Sequence, residues 1–235
     1  MQKILVVETN QATYGKKATP TGLWLGETTE FVLKMHEAGY QVDYVSPQGG
    51  YVPVDPRSLK YANKESIRLY QSRDFERRAL AETHNPAELT AEDYHAIYYA
   101  GGHGAMWDFV NNQPLQQLAE KIYRNGGYIS SVCHGIAGLF NLRLPNGNFL
   151  IKGRQITGFT TTEEMLAGKY QVVPFLNQPM ATKRGAQFVK KHAYSSFVVQ
   201  DGRLITGQNP FSAQAVAEKL LHEIKPASTT GTKDK

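Results

Sequence analysis

The sequence predicts an α/β fold in which helices sandwich a mainly parallel sheet. Short β-branched or apolar runs alternate along the chain with amphipathic helical segments, the pattern of a parallel sheet covered on both faces. The 235 residues are 41% hydrophobic and 20% charged, a composition typical of a globular protein with enough chain for one sizeable core. We therefore expect a single domain over residues 1–225.

The first third of the chain contains two strands and one helix. The β-branched run Lys3–Glu8 predicts the first strand, and Gln41–Ser46 predicts the second. Between them, Glu27–Ala38 predicts a helix, because apolar residues recur on one face and Gly39 follows in the position that ends helices. Residues 48–92 then interrupt the alternation with a Pro/Gly-rich turn and a charged helical stretch. We expect this insertion to form a lid or an interface.

The rest of the chain resumes the alternation. Tyr94–Ala100 predicts the third strand, a helix follows over about 114–125, and the apolar run 126–132 predicts a buried strand. The remaining predicted elements are a short hairpin of Phe149–Gly153 and Gln155–Phe159, a helix beginning near Thr162, a hairpin of Phe197–Gln200 and Arg203–Thr206, and a closing helix over Pro210–Ile224. Residues 226–235 are rich in Ser, Thr and Lys, and we expect them to be disordered.

Composition and charge exclude several classes of protein. The net charge is +5, but the basic residues are scattered and no helix-turn-helix or RNA-binding signature accompanies them, so we expect no nucleic-acid partner. No apolar stretch is long enough to cross a bilayer, and the N-terminus reads as a strand, so neither a membrane partner nor a secretory leader is expected. A single cysteine excludes an internal disulfide and predicts a reducing, cytoplasmic location. No His/Cys cluster has zinc spacing, so no metal is expected.

The most informative feature is Cys133, the only cysteine, which follows a predicted buried strand directly and precedes an apparent helix start. A reactive side chain at such a strand-to-helix turn sits on a sharp elbow, exposed at the end of the sheet. The N–H groups of the following helix would favour thiolate over thiol, which predicts an acidic cysteine. The alternative is a small buried hydrophobe without a chemical role.

Two further segments should meet this elbow, because open α/β sheets place their sites at the carboxyl ends of parallel strands. One is the run 21–27 after the first strand, and the other is the Ala-Gly-Gly-His-Gly run 100–104 after the third. The paired glycines would let the backbone approach a ligand closely and offer N–H groups to an oxyanion. Glycines at a strand end also fit a plain tight turn.

Taken together, these segments resemble the ThiJ/PfpI (DJ-type) superfamily, and within it the branch of heat-inducible glyoxalase III/chaperone proteins. The resemblance spans about residues 3–224. Its most specific parts are Ala-Gly-Gly-His-Gly (100–104), Gly-Gly-Tyr-Ile-Ser-Ser-Val-Cys-His-Gly (126–135), Ile-Thr-Gly-Phe-Thr (156–160) and Thr-Gly-Gln-Asn-Pro-Phe-Ser-Ala (206–213). It implies a flavodoxin-like fold with a nucleophile elbow.

The resemblance also implies roles for individual residues. Cys133 matches the family nucleophile and His134 its triad histidine, while Glu27 matches the buried glutamate that hydrogen-bonds the cysteine sulfur. The triad acid falls at Glu164, with Glu163 one position earlier as the alternative. From the residues alone, Glu27 could instead complement its helix dipole, and Glu164 could be a solvated residue at a helix start.

The backbone N–H groups of Gly102 and His134 match the family's oxyanion hole. His103 follows Gly102 and is a further candidate for contact with substrate, although packing explains it equally well.

The implied activity is that of a glutathione-independent glyoxalase III, a cofactor-free lyase of the D-lactate dehydratase type. It would convert methylglyoxal and related 2-oxoaldehydes to 2-hydroxy acids such as D-lactate, a detoxification that belongs to the stress response. The implied assembly is a homodimer.

Other functions fit the same residues. One alternative is a holdase chaperone with unfolded client proteins, or an oxidative-stress protein in which the cysteine is oxidised. Others are a protein deglycase and a PfpI-like peptidase. A class I glutamine amidotransferase has a similar elbow, but the chain lacks the late His-x-Glu pair that completes that triad.

Overall fold

A computed structural model describes residues 3–224 and places a six-stranded sheet at the centre of the fold. The strands lie in the order β2-β1-β3-β4-β8-β7, and all neighbours are parallel except β7 and β8. In chain order the strands are β1 (Lys3–Val7), β2 (Gln41–Val45), β3 (Tyr94–Tyr99), β4 (Tyr128–Val132), β5 (Gln155–Ile156), β6 (Gln187–Phe188), β7 (Val198–Asp201) and β8 (Leu204–Gly207). The predicted α/β fold with a mainly parallel sheet is confirmed.

Helices cover both faces of this sheet. They are α1 (Leu25–Glu37), α2 (Lys64–Tyr70), α3 (Arg73–Phe75), α4 (Ala105–Asp108), α5 (Gln113–Arg124), α6 (Thr161–Leu166), α7 (Asn177–Lys183) and α8 (Ala213–Ile224). Helices α1 and α8 pack against each other on one face, and α5 lies on the other. No helix within residues 3–224 is long and apolar enough to span a membrane.

Strand β1 shows why the core has two halves. Successive side chains of a strand point to opposite faces. Ile4 and Val6 therefore join the apolar cluster that contains Phe31 of α1, while Leu5 and Val7 join the cluster beneath α5. These four apolar side chains are fully buried, and Lys3 at the start of the strand is only half-buried. A strand that is covered on both faces is apolar at every position rather than at every second one. The continuous apolar run Ile4–Val7 has this pattern.

The predicted hairpin of residues 149–159 is wrong. Phe149 forms an isolated bridge with Arg143, and residues 150–153 form turns. Strand β5 pairs in parallel with β6, which lies about thirty residues further along the chain. Leu150 and Ile151 are buried in the apolar core, which accounts for their hydrophobicity without a strand. Strand pairing depends on which distant segment packs alongside, and a local pattern does not carry that information.

Three short helical elements also differ from the predictions. Helices α4 and α7 were not predicted, and the segment after the elbow is a 3₁₀ helix over Cys133–Leu139 rather than a regular α-helix. The insertion 48–92 contains α2, α3, a π-helical turn and three 3₁₀ turns. Its role as a lid or interface, and the single domain over 1–225, stay predictions. The predicted disordered tail lies outside the described residues.

Candidate active site

The sequence predicted a sharp elbow with an exposed cysteine, and the structure has Cys133 on a strained turn with its side chain buried. Cys133 follows β4 directly, and its backbone φ of 56° lies in the left-handed region. A non-glycine residue held there costs on the order of 1–3 kcal/mol, and such residues persist only where the surrounding packing fixes them. Gly135 supplies that packing, because a Cβ atom at this position would lie 2.2 Å from the carbonyl oxygen of Tyr99. The elbow is therefore pressed onto the end of β3.

A chain of hydrogen bonds runs from the cysteine sulfur through one imidazole to a carboxylate. Cys133 Sγ lies 3.2 Å from His134 Nδ1, and His134 Nε2 lies 2.8 Å from Glu164 Oε2. All three side chains are at least 97% buried. The ring of Phe159 packs against that of His134 with centroids 4.3 Å apart, which holds the imidazole in its orientation.

A second histidine binds the same carboxylate. His103 Nε2 lies 2.9 Å from Glu164 Oε1, and His103 Nδ1 lies 3.3 Å from a guanidinium nitrogen of Arg57. Arg57 is held in turn by buried Asp55, through contacts of 3.0 Å and 2.6 Å, and it also contacts the Tyr14 hydroxyl. The hydrogen-bond chain of the triad therefore continues from Glu164 through His103 to Arg57 in the insertion 48–92.

These contacts assign the tautomers. A guanidinium can only donate, so His103 Nδ1 accepts and the proton of this ring sits on Nε2, where it is donated to Glu164. His134 also donates from Nε2 to Glu164, which leaves its Nδ1 lone pair facing the cysteine sulfur. A neutral His134 is therefore oriented to receive the thiol proton.

Charge and burial act together on this side of the site. Burial lowers the pKa of His103 to about 4, and positive charge on His134, when that ring is protonated, and on Arg57 acts in the same direction, so His103 is neutral near pH 7. Burial acts to raise the pKa of Glu164, but the positive charge of His134 when that ring is protonated and the hydrogen bonds from both histidines hold it well below its usual range. Glu164 is therefore an ionised acceptor.

Glu27 lies on the other side of the cysteine, in the first turn of α1, and is fully buried. Its Oε2 accepts a hydrogen bond of 2.7 Å from the Gly101 N–H, while Oε1 has no hydrogen-bond partner within residues 3–224. Burial raises the pKa of Glu27 to about 8, and interactions with the Cys133 thiol and the Gly101 N–H only partly offset the effect. This carboxyl group therefore keeps its proton near neutral pH.

The cysteine itself is not acidic at rest. Burial raises the pKa of the Cys133 thiol well above its usual value, and an ionised Glu27 raises it further, while the backbone N–H of His134 acts in the opposite direction. The prediction of an acidic thiol is therefore wrong for the resting site, because desolvation outweighs the N–H groups of a short 3₁₀ helix. Since the two groups interact strongly, Glu27 and Cys133 titrate as a pair.

The double glycine at the end of β3 is required by close backbone packing. Gly102 has φ of 104°, and a Cβ atom there would lie 2.1 Å from the carbonyl oxygen of Gly22. At Gly101, a Cβ atom would lie 2.5 Å from Glu27 Oε2 and 2.9 Å from the His134 backbone nitrogen. The segments 21–27 and 100–104 and the elbow therefore meet at one edge of the sheet, as the sequence predicted.

The structure separates the two candidate triad acids. Glu163 forms a capping box with Thr160 at the start of α6 and accepts hydrogen bonds from the side chains of Gln208 and Asn209. Glu164, one residue later on the same helix turn, faces both histidines. Successive helical residues point about 100° apart, so only one of the two can reach His134.

The site opens into a large cavity. Its volume is about 1060 Å³, and Cys133, which is 3% exposed, lies at its floor together with Gly102, His103 and His134. The insertion contributes Arg57, Lys60 and Tyr61 to the wall, and the rest of the lining is largely apolar.

Three side chains could in principle hold a metal ion, since donor atoms of His103, His134 and Glu164 lie within 4.8 Å of one another. Each histidine Nε2 is already hydrogen-bonded to one carboxylate oxygen. An ion at this point would have to displace both hydrogen bonds, so the arrangement fits a hydrogen-bonded triad better.

Sequence reasoning missed the groups behind the triad. Arg57, Asp55 and Tyr14 were not singled out, although the Asp-Pro-Arg run 55–57 stood in the predicted Pro/Gly-rich turn. Phe159 was part of the family motif 156–160 but had no role assigned. A local acid–base pair around a proline signals a turn, and only the fold shows that it reaches His103.

Comparisons with known proteins identify the family of this chain. A family model described as DJ-1/PfpI matches residues 23–223, which is most of the chain. The chain belongs to the DJ-1/PfpI family.

Members of this family with named activities are among its relatives. The chain is 32% identical over 216 residues to the glutathione-independent glyoxalase HSP31 of Saccharomyces cerevisiae, covering 87% of this chain and 90% of the relative. It is 31% identical over 230 residues to glyoxalase 3 of Candida albicans, covering 94% and 98%.

Solved structures give the same result at the level of the fold. The crystal structure of glyoxalase III from Candida albicans matches with a TM-score of 0.86 at 30% identity, covering 94% of this chain and 96% of that one. The Rapid Encystment Protein of Francisella tularensis matches with a TM-score of 0.91 at 32% identity, covering 94% and 98%. The flavodoxin-like DJ-1/PfpI fold predicted from the sequence is confirmed.

Proposed function

We propose that this protein is a glutathione-independent glyoxalase III that converts methylglyoxal and related 2-oxoaldehydes to 2-hydroxy acids such as D-lactate. The observation that carries the proposal is Cys133 on a strained elbow between two proton-carrying groups, His134 and Glu27, at the floor of a cavity. Relatives at about 30% identity over most of the chain are named glutathione-independent glyoxalases, which supports an enzymatic role.

In the first step, the Cys133 sulfur attacks the aldehyde carbon, C1, and the thiol proton passes to His134 Nδ1, 3.2 Å away. A carbon–sulfur bond forms, and the carbonyl oxygen becomes the oxygen of a hemithioacetal. The backbone N–H groups of Gly102 and His134 are proposed to stabilise the charge that develops on this oxygen. Glu164 stabilises the imidazolium that forms, because it is ionised and accepts from His134 Nε2.

In the second step, a proton moves from C1 to C2. In the fraction of molecules where Glu27 is ionised, this carboxylate takes the C1 proton while His134 gives the former thiol proton to the C2 oxygen, which forms an enediol. Glu27 then returns its proton to C2 as the C1 oxygen becomes the carbonyl of a thioester. The Glu27 pKa of about 8 is suited to both halves of this exchange at neutral pH. C1 is oxidised to the thioester level while C2 is reduced to an alcohol, so no external oxidant, reductant or cofactor is required.

In the last step, water attacks the thioester and loses a proton to His134. The carbon–sulfur bond then breaks, the sulfur takes that proton from His134, and the 2-hydroxy acid leaves. The roles of Cys133, His134, Glu27, Glu164 and the two N–H donors are thus parts of one proposal. Assembly as a homodimer, unfolded client proteins as further partners and a cytoplasmic location stay predictions.

The test is an assay of the purified protein with methylglyoxal and no glutathione, with D- and L-lactate resolved enzymatically. We expect D-lactate from the wild type and a loss on the order of 10⁴-fold or more in kcat for Cys133→Ser, because serine is a far weaker nucleophile than the thiol it replaces. Circular dichroism and the Tm of the variant control for folding. Racemic lactate, or activity that survives the substitution, would move the chemistry away from Cys133.

A further inference from the structure

Exposed apolar side chains concentrate at the mouth of the cavity. Within residues 3–224, eight large hydrophobic residues are exposed, and four of these line the cavity: Tyr61, Leu166, Tyr194 and Phe211. They are 40% to 64% exposed. Large apolar side chains gathered around one opening mark a binding surface more often than scattered single ones do. We call these four residues the cavity rim.

Aromatic rings connect the rim with the reactive sulfur. On one side, Tyr194 lies 6.2 Å from Phe159, whose ring packs at 4.3 Å against His134 beside the cysteine. Phe211 continues this row outward, edge-on to Tyr194 at 6.4 Å. On the other side, Trp24 and Tyr61 lie 5.7 Å apart. An apolar surface therefore extends from the floor of the cavity to its mouth.

The cavity is much larger than methylglyoxal requires. Cavities of about 300–1,000 Å³ bury drug-sized ligands, and this one has a volume of about 1060 Å³. With C1 bonded to the sulfur at the floor, the methyl group of a three-carbon substrate would leave the rim untouched. A substituent the size of a phenyl ring would extend toward the aromatic walls.

We propose that the site is adapted to 2-oxoaldehydes whose C2 carbon carries a bulky aromatic or branched apolar group, and that the cavity rim binds this group. The inference rests on the proposed function and adds no chemistry to it. C1 still forms and loses the bond to sulfur, the proton still moves from C1 to C2, and the substituent passes unchanged into the 2-hydroxy acid.

The binding surface is apolar on both sides of the substituent, so selectivity should grow with the apolar area that is removed from water. A hydrophobic pocket distinguishes substrates that differ by one methylene about 10-fold or more. A phenyl group in place of methyl adds more area than one methylene. The lining also has polar side chains, Arg57 and Lys60 of the insertion together with Glu30 of α1 and Gln214 of α8, so the aromatic rows rather than the whole wall form the apolar surface.

The experiment compares methylglyoxal with phenylglyoxal as substrates of the full-length protein. Initial rates are taken before the aldehydes modify arginine side chains, and lactate and mandelate are quantified. The variants are Phe211→Ala and Tyr61→Ala in the cavity rim. Tyr51→Ala is the matched control, because Tyr51 is 69% exposed but does not line the cavity.

We expect kcat/KM of the wild type to be about 10-fold or more higher for phenylglyoxal than for methylglyoxal. Each rim variant should reduce this ratio by about threefold to tenfold, mainly through KM. Tyr51→Ala should leave both constants as they are in the wild type. Because the ratio is compared between variants, the different intrinsic reactivities of the two aldehydes cancel.

Other outcomes would overturn the inference in distinguishable ways. Turnover of methylglyoxal with an unaltered substrate ratio in both rim variants would refute the rim as a substrate site while the proposed function stands. Absence of turnover with either substrate would refute both. Equal losses with both substrates, accompanied by dissociation of an oligomer in sedimentation, would make the rim an interface between copies of the chain.

Discussion

Glu27 and Glu164 are the same residue type on opposite sides of one cysteine, and the structure gives them opposite properties. Glu164 accepts hydrogen bonds from two imidazoles through both oxygens, and its pKa is held below the usual range. Glu27 is fully buried, accepts one backbone N–H through Oε2, has no hydrogen-bond partner for Oε1 among residues 3–224, and has a pKa of about 8. The difference is one of solvation and partners, not of residue type.

This difference suits Glu164 to orienting its partners and Glu27 to transferring a proton. A carboxylate that is held ionised by hydrogen bonds to both of its oxygens orients and stabilises its partners, but it exchanges no proton near neutral pH. A carboxyl group whose pKa lies close to ambient pH can both release and accept a proton. In active sites, two titratable groups whose pKa values are driven apart by their environments mark the acid and base roles. We therefore expect substitutions on the two sides to fail in different ways.

Among substitutions of the groups on either side of the cysteine, Glu27→Gln is expected to have the largest effect. The amide keeps the size of the side chain but cannot accept the C1 proton, so kcat with methylglyoxal should fall about 10²–10⁴-fold. In the wild type, kcat/KM should rise with pH to a plateau above about pH 8 as Glu27 ionises, and this rise should be absent in the variant. Glu37→Gln, at the exposed end of the same helix, serves as the control.

The same variant separates an enzyme from a chaperone. Suppression of client aggregation, measured by light scattering of a heated client, requires exposed apolar surface that a buried amide does not alter. We expect it to be preserved in Glu27→Gln. Intact turnover with lost suppression would make Glu27 a structural residue of a binding protein.

A smaller and pH-independent effect is expected for Glu164→Gln. The glutamine amide cannot accept from both histidines, so one ring must change its tautomer, and His134 loses its anionic partner. Loss of an orienting partner costs about 10–100-fold in activity. Because Glu164 stays ionised over the accessible range, the ratio of wild-type to variant kcat/KM should be constant from pH 6 to 9. If the ratio of wild-type to Glu164→Gln kcat/KM changed with pH as it does for Glu27→Gln, the two glutamates would not have different roles.

Arg57→Met tests the outermost part of the polar side. We expect a loss of about 10-fold in kcat with KM little changed, because the residue acts through His103 and Glu164. ¹⁵N NMR of the imidazole nitrogens should show His103 Nδ1 as an unprotonated acceptor in the wild type and a tautomer mixture in the variant. Arg57→Lys should restore part of the activity, and Arg77→Met in the same insertion controls for charge. An unchanged His103 spectrum would refute the positioning role.

The smallest effect concerns stability. Because the folded-state pKa of Glu27 is raised to about 8, the folded protein binds more protons than the unfolded chain between about pH 4.5 and 8. The free energy of unfolding should therefore fall as pH rises through this window, by up to about 1.4 kcal/mol per pH unit. Glu27→Gln removes this pH dependence. Chemical denaturation should therefore show the free energy of unfolding of the variant rising relative to that of the wild type from pH 5 to 7.5. Parallel pH profiles would mean that Glu27 is not buried with its proton.

The sequence by itself determined the alternation of strands and helices, the elbow at Cys133 and the meeting of three segments at one sheet edge. These features depend on local patterns: apolar runs long enough for buried strands, one apolar helix face in α1, and glycines where the backbone must turn or approach closely. Parallel strands then place their carboxyl ends together whatever the remaining contacts are.

Tertiary structure alone decided the chemistry of the groups at that edge. Which of Glu163 and Glu164 faces His134 depends on how α6 is rotated about its axis. The contact between Arg57 and His103 depends on how the insertion 48–92 packs against the site. The pairing of β5 with β6 joins segments that no local pattern relates. The high pKa of the Cys133 thiol follows from its burial beside Glu27. Desolvation and long-range contacts arise only when distant parts of the chain pack together, so the sequence could name the reacting groups but not their protonation.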